Sequence, residues 1–183
     1  TGAIATGHGS TLTGAGATDI ESNPPENTSQ SKSCRWSSFQ SAPAGTITSL
    51  RLKFSWTASG SASAETIVAG TASGSASFVV QYTLNGGSNW TTVVNRSVSA
   101  SASGGNSDSD SDPGASGSED IALSVAQNIS QVQVRARSDA SASANAPNTT
   151  GAEASGSASY ATTVSAIQIE VVTDVQAQLL AMM

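Results

Sequence analysis

The chain has 183 residues, 37% of them apolar and only 11% charged, with 13 acidic against 7 basic side chains and a formal net charge of −6. Ordinary globular chains carry about 45–50% apolar and about 25% charged residues, so this one has little hydrophobic mass, yet it lacks the high net charge that accompanies disorder. The acidic balance excludes a nucleic-acid partner, which needs basic patches; no run of about 18 apolar residues is present to span a membrane; and a single cysteine, Cys34, excludes an internal disulfide framework or a thiolate metal cage.

Residues 1–33 are rich in Gly, Thr and Ser and contain Pro24-Pro25. They read as an extended N-terminal arm with little core of its own. Thr1 at the start fits a cleaved signal peptide or removal of an initiator Met. His8, the sole histidine, lies in this arm and reads as a solvated loop residue. Cys34 reads as a small buried hydrophobe, because no His-based partner stands out to activate it.

From Cys34 onward the pattern turns periodic, and residues 34–173 read as one β-sandwich. Leu50, Leu52, Phe54 and Trp56 alternate with Arg51, Lys53 and Ser55. Period two with one polar face predicts a half-buried strand. Phe78, Val80, Tyr82 and Leu84 repeat it. Asn85-Gly86-Gly87-Ser88-Asn89 predicts a hairpin turn, and Trp90, Thr92, Val94, Arg96 and Val98 run back. Ile121, Leu123 and Val125 predict a short strand. Val132 and Val134 belong to another, and Ile167, Ile169 and Val171 to the last. Residues 174–183 form an apolar tail. Its Leu179, Leu180, Met182 and Met183 are candidates for contact with a neighbouring subunit or for tucking under their own sandwich.

Five Ala/Ser/Gly tracts, at 57–64, 71–77, 98–105, 139–146 and 153–159, extend these strands. Tiny alternating side chains cannot build a deep core, but they fit a pleated sheet. With consecutive strands alternating in direction, all five tracts fall at one pole, opposite the 85–89 turn. The acids, among them Glu65, Asp108, Asp110, Asp112, Glu119, Asp120 and Glu153, are expected at that pole. Arg51, Lys53, Arg96, Arg135 and Arg137 are expected on the other half, making the molecule bipolar.

Asp108, Asp110, Asp112 and Glu119 stand at relative positions 1, 3, 5 and 12, the spacing of an EF-hand loop. Pro113 occupies the place where that loop needs Gly, and no helix flanks it. What remains is a looser Ca²⁺ site on those four carboxylates, or an acidic loop tip. No catalytic residue and no other cofactor is assigned. No Ser-His-Asp set assembles around His8, and the acids lack the aromatic lining of a glycosidase cleft. Asn27, Asn89, Asn95, Asn128 and Asn148 each head an N-glycosylation sequon.

Thr83-Leu84-Asn85-Gly86-Gly87-Ser88-Asn89-Trp90 resembles the Asp-box of sialidases, with Asn85 in place of Asp and Asn89 in place of Thr. That resemblance implies a structural hairpin carrying a packed Trp90. More widely, Cys34-Arg-Trp36-Ser-Ser-Phe39, then Pro43, Gly45, Ile47, Leu50 and the later Gly-Gly-x-x-Trp hairpin resemble jelly-roll-like β-sandwich domains of phage tail, fibre and decoration proteins and of bacterial surface proteins. The resemblance implies an all-β, antiparallel jelly-roll-like β-sandwich with elongated strands and no enzymatic activity. Together with the small-residue tracts and low charge, the reading is a structural subunit of an extracellular or virion assembly, on a virion surface or in a surface filament. Its partners are copies of itself or other structural proteins of the assembly. The alternative is a secreted carbohydrate-binding or adhesion module with a glycan partner.

Overall fold

The computed structural model describes residues 2–5, 10–20, 26–36, 45–123, 129–147 and 151–173. Nine strands form two antiparallel sheets: β1 (Gly2–Ala5), β2 (Ser10–Ile20), β3 (Glu26–Trp36), β4 (Ile47–Ile67), β5 (Thr71–Thr83), β6 (Thr91–Ser103), β7 (Ser107–Leu123), β8 (Gln133–Asn145) and β9 (Glu153–Thr173). Sheet A runs β1-β9-β4-β7, with β2 also on β9; sheet B runs β3-β8-β5-β6. Among the described strands, only β5 and β6 are successive and paired in one sheet. From β2 onward, every other connection crosses between the sheets. This is the connectivity of a jelly roll.

The segment 1–33, expected to be an arm, instead has its described residues in strands woven into the sandwich. β1 and β2 line up end to end on β9, at Ala5↔Gln168 and Ser10↔Val164, and β3 pairs with β8 along its whole length. Few apolar residues mark these strands. These strands are held by ladder hydrogen bonds to a partner distant in sequence, which local composition does not encode.

Two kinds of core share the space between the sheets. The lower half is conventional: Leu50, Leu52, Phe54, Phe78, Val80, Val132, Val134, Ile167, Ile169 and Val171 are all buried. The upper half is lined by Ala58, Ala62, Ala64, Ala72, Ala76, Ala100, Ala140, Ala144, Ala154 and Ala158. The registers Ala62↔Ala158 in sheet A and Ala72↔Ala144 and Ala72↔Ala102 in sheet B set the five tracts side by side, at the pole opposite the 85–89 hairpin. With so little side chain between them, the sheets meet backbone to backbone. A Cβ on Gly74 would collide with the carbonyl of Ser157, and one on Gly156 with the carbonyl of Ser73.

Serines tile the outside of the same half. Ser61 meets Ser159 at 3.3 Å and Ser63 meets Ser157 at 2.8 Å; on the other sheet Ser73 meets Ser143 at 2.7 Å and Ser75 meets Ser141 at 2.9 Å. Cross-strand hydroxyl pairs of this kind stabilise a sheet face. Each Ser-Ala repeat therefore has one residue for the ladder outside and one for the thin core inside. A row of aromatic rings divides the halves: Phe78 lies 6.2 Å from Trp56 and 6.4 Å from Tyr160 between ring centroids. On β9 a register shift between the partners of Lys53 and Ser55 moves the inward set from Tyr160, Thr162 and Val164 to Ile167, Ile169 and Val171. A bulge is the device that changes inward parity within one strand.

Candidate functional site

The acidic run 108–112, read as a loop tip, is the start of the 17-residue strand β7. Its period-two spacing puts three carboxylates on one side, about 6.6 Å from one to the next. β6 and β7 are the outermost strands of their sheets and lie beside each other. An outer strand leaves N–H groups without a ladder partner. Asp110 accepts the backbone N–H of Ser99 at 3.0 Å, and Asp108 that of Ser101 at 2.9 Å. Side-chain carboxylates thus bond the edge of sheet B to the edge of sheet A.

The third rung goes deeper. Asp112 is buried. Arg96 of β6 donates to it twice, Nε to Oδ2 at 2.6 Å and Nη2 to Oδ1 at 2.6 Å. The fully buried Tyr160 donates its hydroxyl to Oδ2 from the far side. The Arg96 bond first, and the Tyr160 bond second, hold the Asp112 carboxyl down at about 2. Burial, then the bond to Asp112, pushes the Tyr160 phenol up to about 12. Gly60 makes the contact reachable. It stands opposite both Tyr160 and Asp112, and a Cβ there would sit 2.6 Å from the Tyr160 ring.

The same device recurs lower down. Trp56 faces Gly117, where a Cβ would lie 2.5 Å from the indole nitrogen, and that nitrogen donates to Glu119 at 3.0 Å. Glu119 and Asp120 do not belong to the tract pole as expected: Asp120 is level with Lys53 and bonds Arg51 at 2.8 Å, while Lys53 pairs with Glu170 at 2.6 Å. The expected charge bipolarity is reduced accordingly.

The four carboxylates proposed for Ca²⁺ therefore do not converge. Asp108, Asp110 and Asp112 are strung along one strand, Glu119 is seven residues further on, and each accepts a hydrogen bond from the protein. Among the described residues no group of three or more His, Cys, Asp or Glu side chains is placed to hold a metal. Leu179, Leu180, Met182, Met183 and His8 lie outside the described residues, and so does the Cys34 side chain, although its backbone pairs with Ala136. Asn89 and Asn95 are exposed.

The hairpin forms where the Gly-Gly sequence placed it. Thr83 Oγ1 donates to Asn85 Oδ1 at 2.7 Å and accepts the Gly87 N–H at 3.3 Å, while Asn85 Oδ1 accepts the Asn89 N–H at 3.0 Å. Asn85 thereby does the hydrogen-bond work of an Asp. The turn presents Trp90 to the outer face of sheet B. There the Arg135 guanidinium lies 4.0 Å from the ring centroid and that of Arg35 lies 5.3 Å away. These two arginines are direct cross-strand partners. Arg135 also donates Nε to Gln81 at 2.7 Å, and Arg137, next on the same face, pairs with Asp139 at 2.7 Å. Burial first, then the charges of Arg35 and Arg137, lower the pKa of Arg135. Above this cluster the outer face of sheet B opens into a cavity of about 440 Å³ lined by serines of all four strands.

Composition missed both clusters. Asp at every second position was a strand signal, masked by the turn-like chemistry of Asp and Ser. The Arg-Trp-Arg stack joins positions 35, 90 and 135, and no local pattern connects them.

No family model matches the chain, and no curated protein matches it. Among solved structures it is similar to one titled "Structure of infectious bursal disease virus Gx strain", at 14% identity and a TM-score of 0.26, over 92% of this chain and 37% of that one. The chain thus spans little more than a third of that protein's length. What defines the class of this protein is its own connectivity: an antiparallel jelly-roll sandwich.

Proposed function

We propose that this chain is a non-catalytic structural subunit of an extracellular or virion assembly, a rigid β-blade that associates with copies of itself or with other structural proteins of that assembly. One observation carries the reading. β4 and β9 each run for 21 residues, about 70 Å at the usual rise, against the usual strand of about 5–6 residues. The extra length is made of Ala and Gly inside and Ser outside. Such a half adds reach and stiffness with little added side-chain mass, as suits a spacer or building block.

The tip of this half supports the reading. Ile67 and Val68 are 44% and 62% exposed where β4 turns into β5. Val68 holds a φ of 65° there, a costly conformation for a β-branched residue. An exposed apolar pair on a strained turn is a fitting contact point for a neighbouring subunit.

Sedimentation velocity over a wide concentration range, with negative-stain electron microscopy, tests the proposal. Discrete oligomers or ordered arrays that grow with concentration are expected. A strict monomer at every concentration, with no ordered particles, overturns it.

A further inference from the structure

We propose that the outer face of sheet B is a binding site for an acidic polysaccharide, with Arg35 and Arg135 holding a sulfate or carboxylate group of the chain beside Trp90. This stands independently of the assembly reading.

In a protein of net charge −6, Arg51, Lys53, Arg96 and Arg137 are each ion-paired to a carboxylate. Arg35 and Arg135 form no ion pair among the described residues. They nevertheless stand directly opposite each other on adjacent strands, an arrangement that destabilises a sheet when both residues are charged. Trp90 partly offsets the repulsion by taking both guanidinium groups against its ring, a favourable cation–π contact. Arg135 also donates Nε to Gln81 at 2.7 Å, which fixes its guanidinium on this face. Two guanidinium forks held side by side suit a bidentate oxyanion. An anion bound there would relieve the Arg35–Arg135 repulsion.

The rest of the face indicates what carries the anion. Ser31, Ser33, Arg35, Arg135 and Arg137 line a cavity of about 270 Å³. It shares Ser31 and Arg137 with the larger hydroxyl-lined cavity above it. The two form one track across sheet B, cationic at the hairpin end and rich in hydroxyls beyond. The Asp139 carboxylate, within hydrogen-bond distance of Arg137, offers an acceptor to sugar hydroxyls. A polymer with sparse negative groups and many hydroxyls matches this track. Nucleic acid does not, because its charge every ~1.7 Å of duplex is far denser than the few cations at one end of this track.

The test uses the intact chain in affinity electrophoresis and titration calorimetry with chondroitin sulfate, polygalacturonate, neutral dextran, inorganic sulfate and single-stranded DNA. Binding to the sulfated or the carboxylated polymer is expected, weakening as salt rises; which of the two binds tighter identifies the anion. Arg35→Gln, on the exposed edge strand, is expected to weaken binding at least tenfold, and Arg35→Gln with Arg135→Gln to abolish it. Ser75→Ala with Ser141→Ala is expected to weaken the polymer but not inorganic sulfate. Thermal melts show whether each variant is folded, and Arg35→Gln alone decides the matter if the double variant is not. No binding to either acidic polymer, equal binding of dextran or DNA, or full binding by Arg35→Gln overturns the site. None of these outcomes bears on oligomerisation.

Discussion

The hydroxyl of Tyr160 on β9 reaches across β4, over Gly60, to donate to Asp112 on β7, which Arg96 grips from the opposite sheet. Two strands of sheet A, β7 and β9, and the edge strand β6 of sheet B are thus tied at one carboxylate, across β4. Replacing Tyr160 with Phe keeps the ring and removes the donor. A hydrogen bond to a charged group contributes about 1.5–3 kcal/mol, and urea unfolding of Tyr160→Phe should show a loss of that size. An unchanged midpoint would show that the bond contributes nothing.

The same pair makes stability depend on pH at both the acid and the alkaline end. The Asp112 carboxyl is depressed to about 2 from 3.8. Its contribution is full above about 4 and is lost as pH falls from there through about 2. The Tyr160 phenol is raised to about 12 from 10.0, so its contribution is full below 10 and is lost as pH rises towards 12. Denaturant midpoints measured across pH should fall in both windows. The alkaline fall should shrink in Tyr160→Phe, and a profile identical to the wild type would refute the assignment.

The thin half should tolerate no added volume on its inner face. Gly74→Ala and Gly156→Ala would drive a methyl into the carbonyl of the facing strand, which only separation of the sheets can accommodate. Overpacking of this kind costs roughly 1–3 kcal/mol or more. Ser75→Ala, one residue away but on the outer face, loses only its pairing with Ser141, a change of about 0.5 kcal/mol. Chemical denaturation of the three variants tests this contrast. Equal costs inside and outside would mean that the sheets are not in backbone contact.

These contrasts also show how much of the fold could be read from sequence. The alternation of Leu50, Leu52, Phe54 and Trp56, the Gly86-Gly87 turn and the Ser-Ala tracts state a strand's period in local terms, and their placement at opposite poles follows from hairpin order. β2 and β3 have no such pattern. Gly14, Gly16 and Ser29 become strand residues only because β9 and β8 lie beside them. The carboxylates were visible and their spacing was right for a strand. Their role depends on Ser99 and Ser101 standing across an edge, a non-local fact. The positions of Tyr160 over Gly60 and of Trp90 within stacking reach of two arginines are likewise products of register.

Val68 carries strain that a single change should relieve. Its φ of 65° is ordinary for glycine and unfavourable for a β-branched side chain. Against a strain of roughly 1–3 kcal/mol stands the greater freedom of glycine in the unfolded chain, so Val68→Gly should raise stability by about 1 kcal/mol. If the tip is an assembly contact, the same variant should associate more weakly. Higher stability with weaker association in sedimentation would connect the strain to assembly; lower stability would refute the strain.

The carboxylate rungs make a further prediction about solubility. Ser99 and Ser101 offer their N–H groups along the outer edge of β6, and Asp110 and Asp108 occupy them. Asp108→Ala with Asp110→Ala would return two donors to an open edge and remove two negative charges from it. Each lost bond costs about 0.5–1.5 kcal/mol in stability, and an uncovered neutral edge recruits strands from other molecules. The double variant should therefore be less stable by about 1–3 kcal/mol and should aggregate with rising thioflavin fluorescence under conditions where the parent chain stays clear. Asp108→Asn with Asp110→Asn keeps an acceptor oxygen on each rung and should recover part of the stability, separating hydrogen bonding from charge. If both pairs of variants match the parent in stability and solubility, the acidic repeat is surface decoration and not the seam that closes this side of the sandwich.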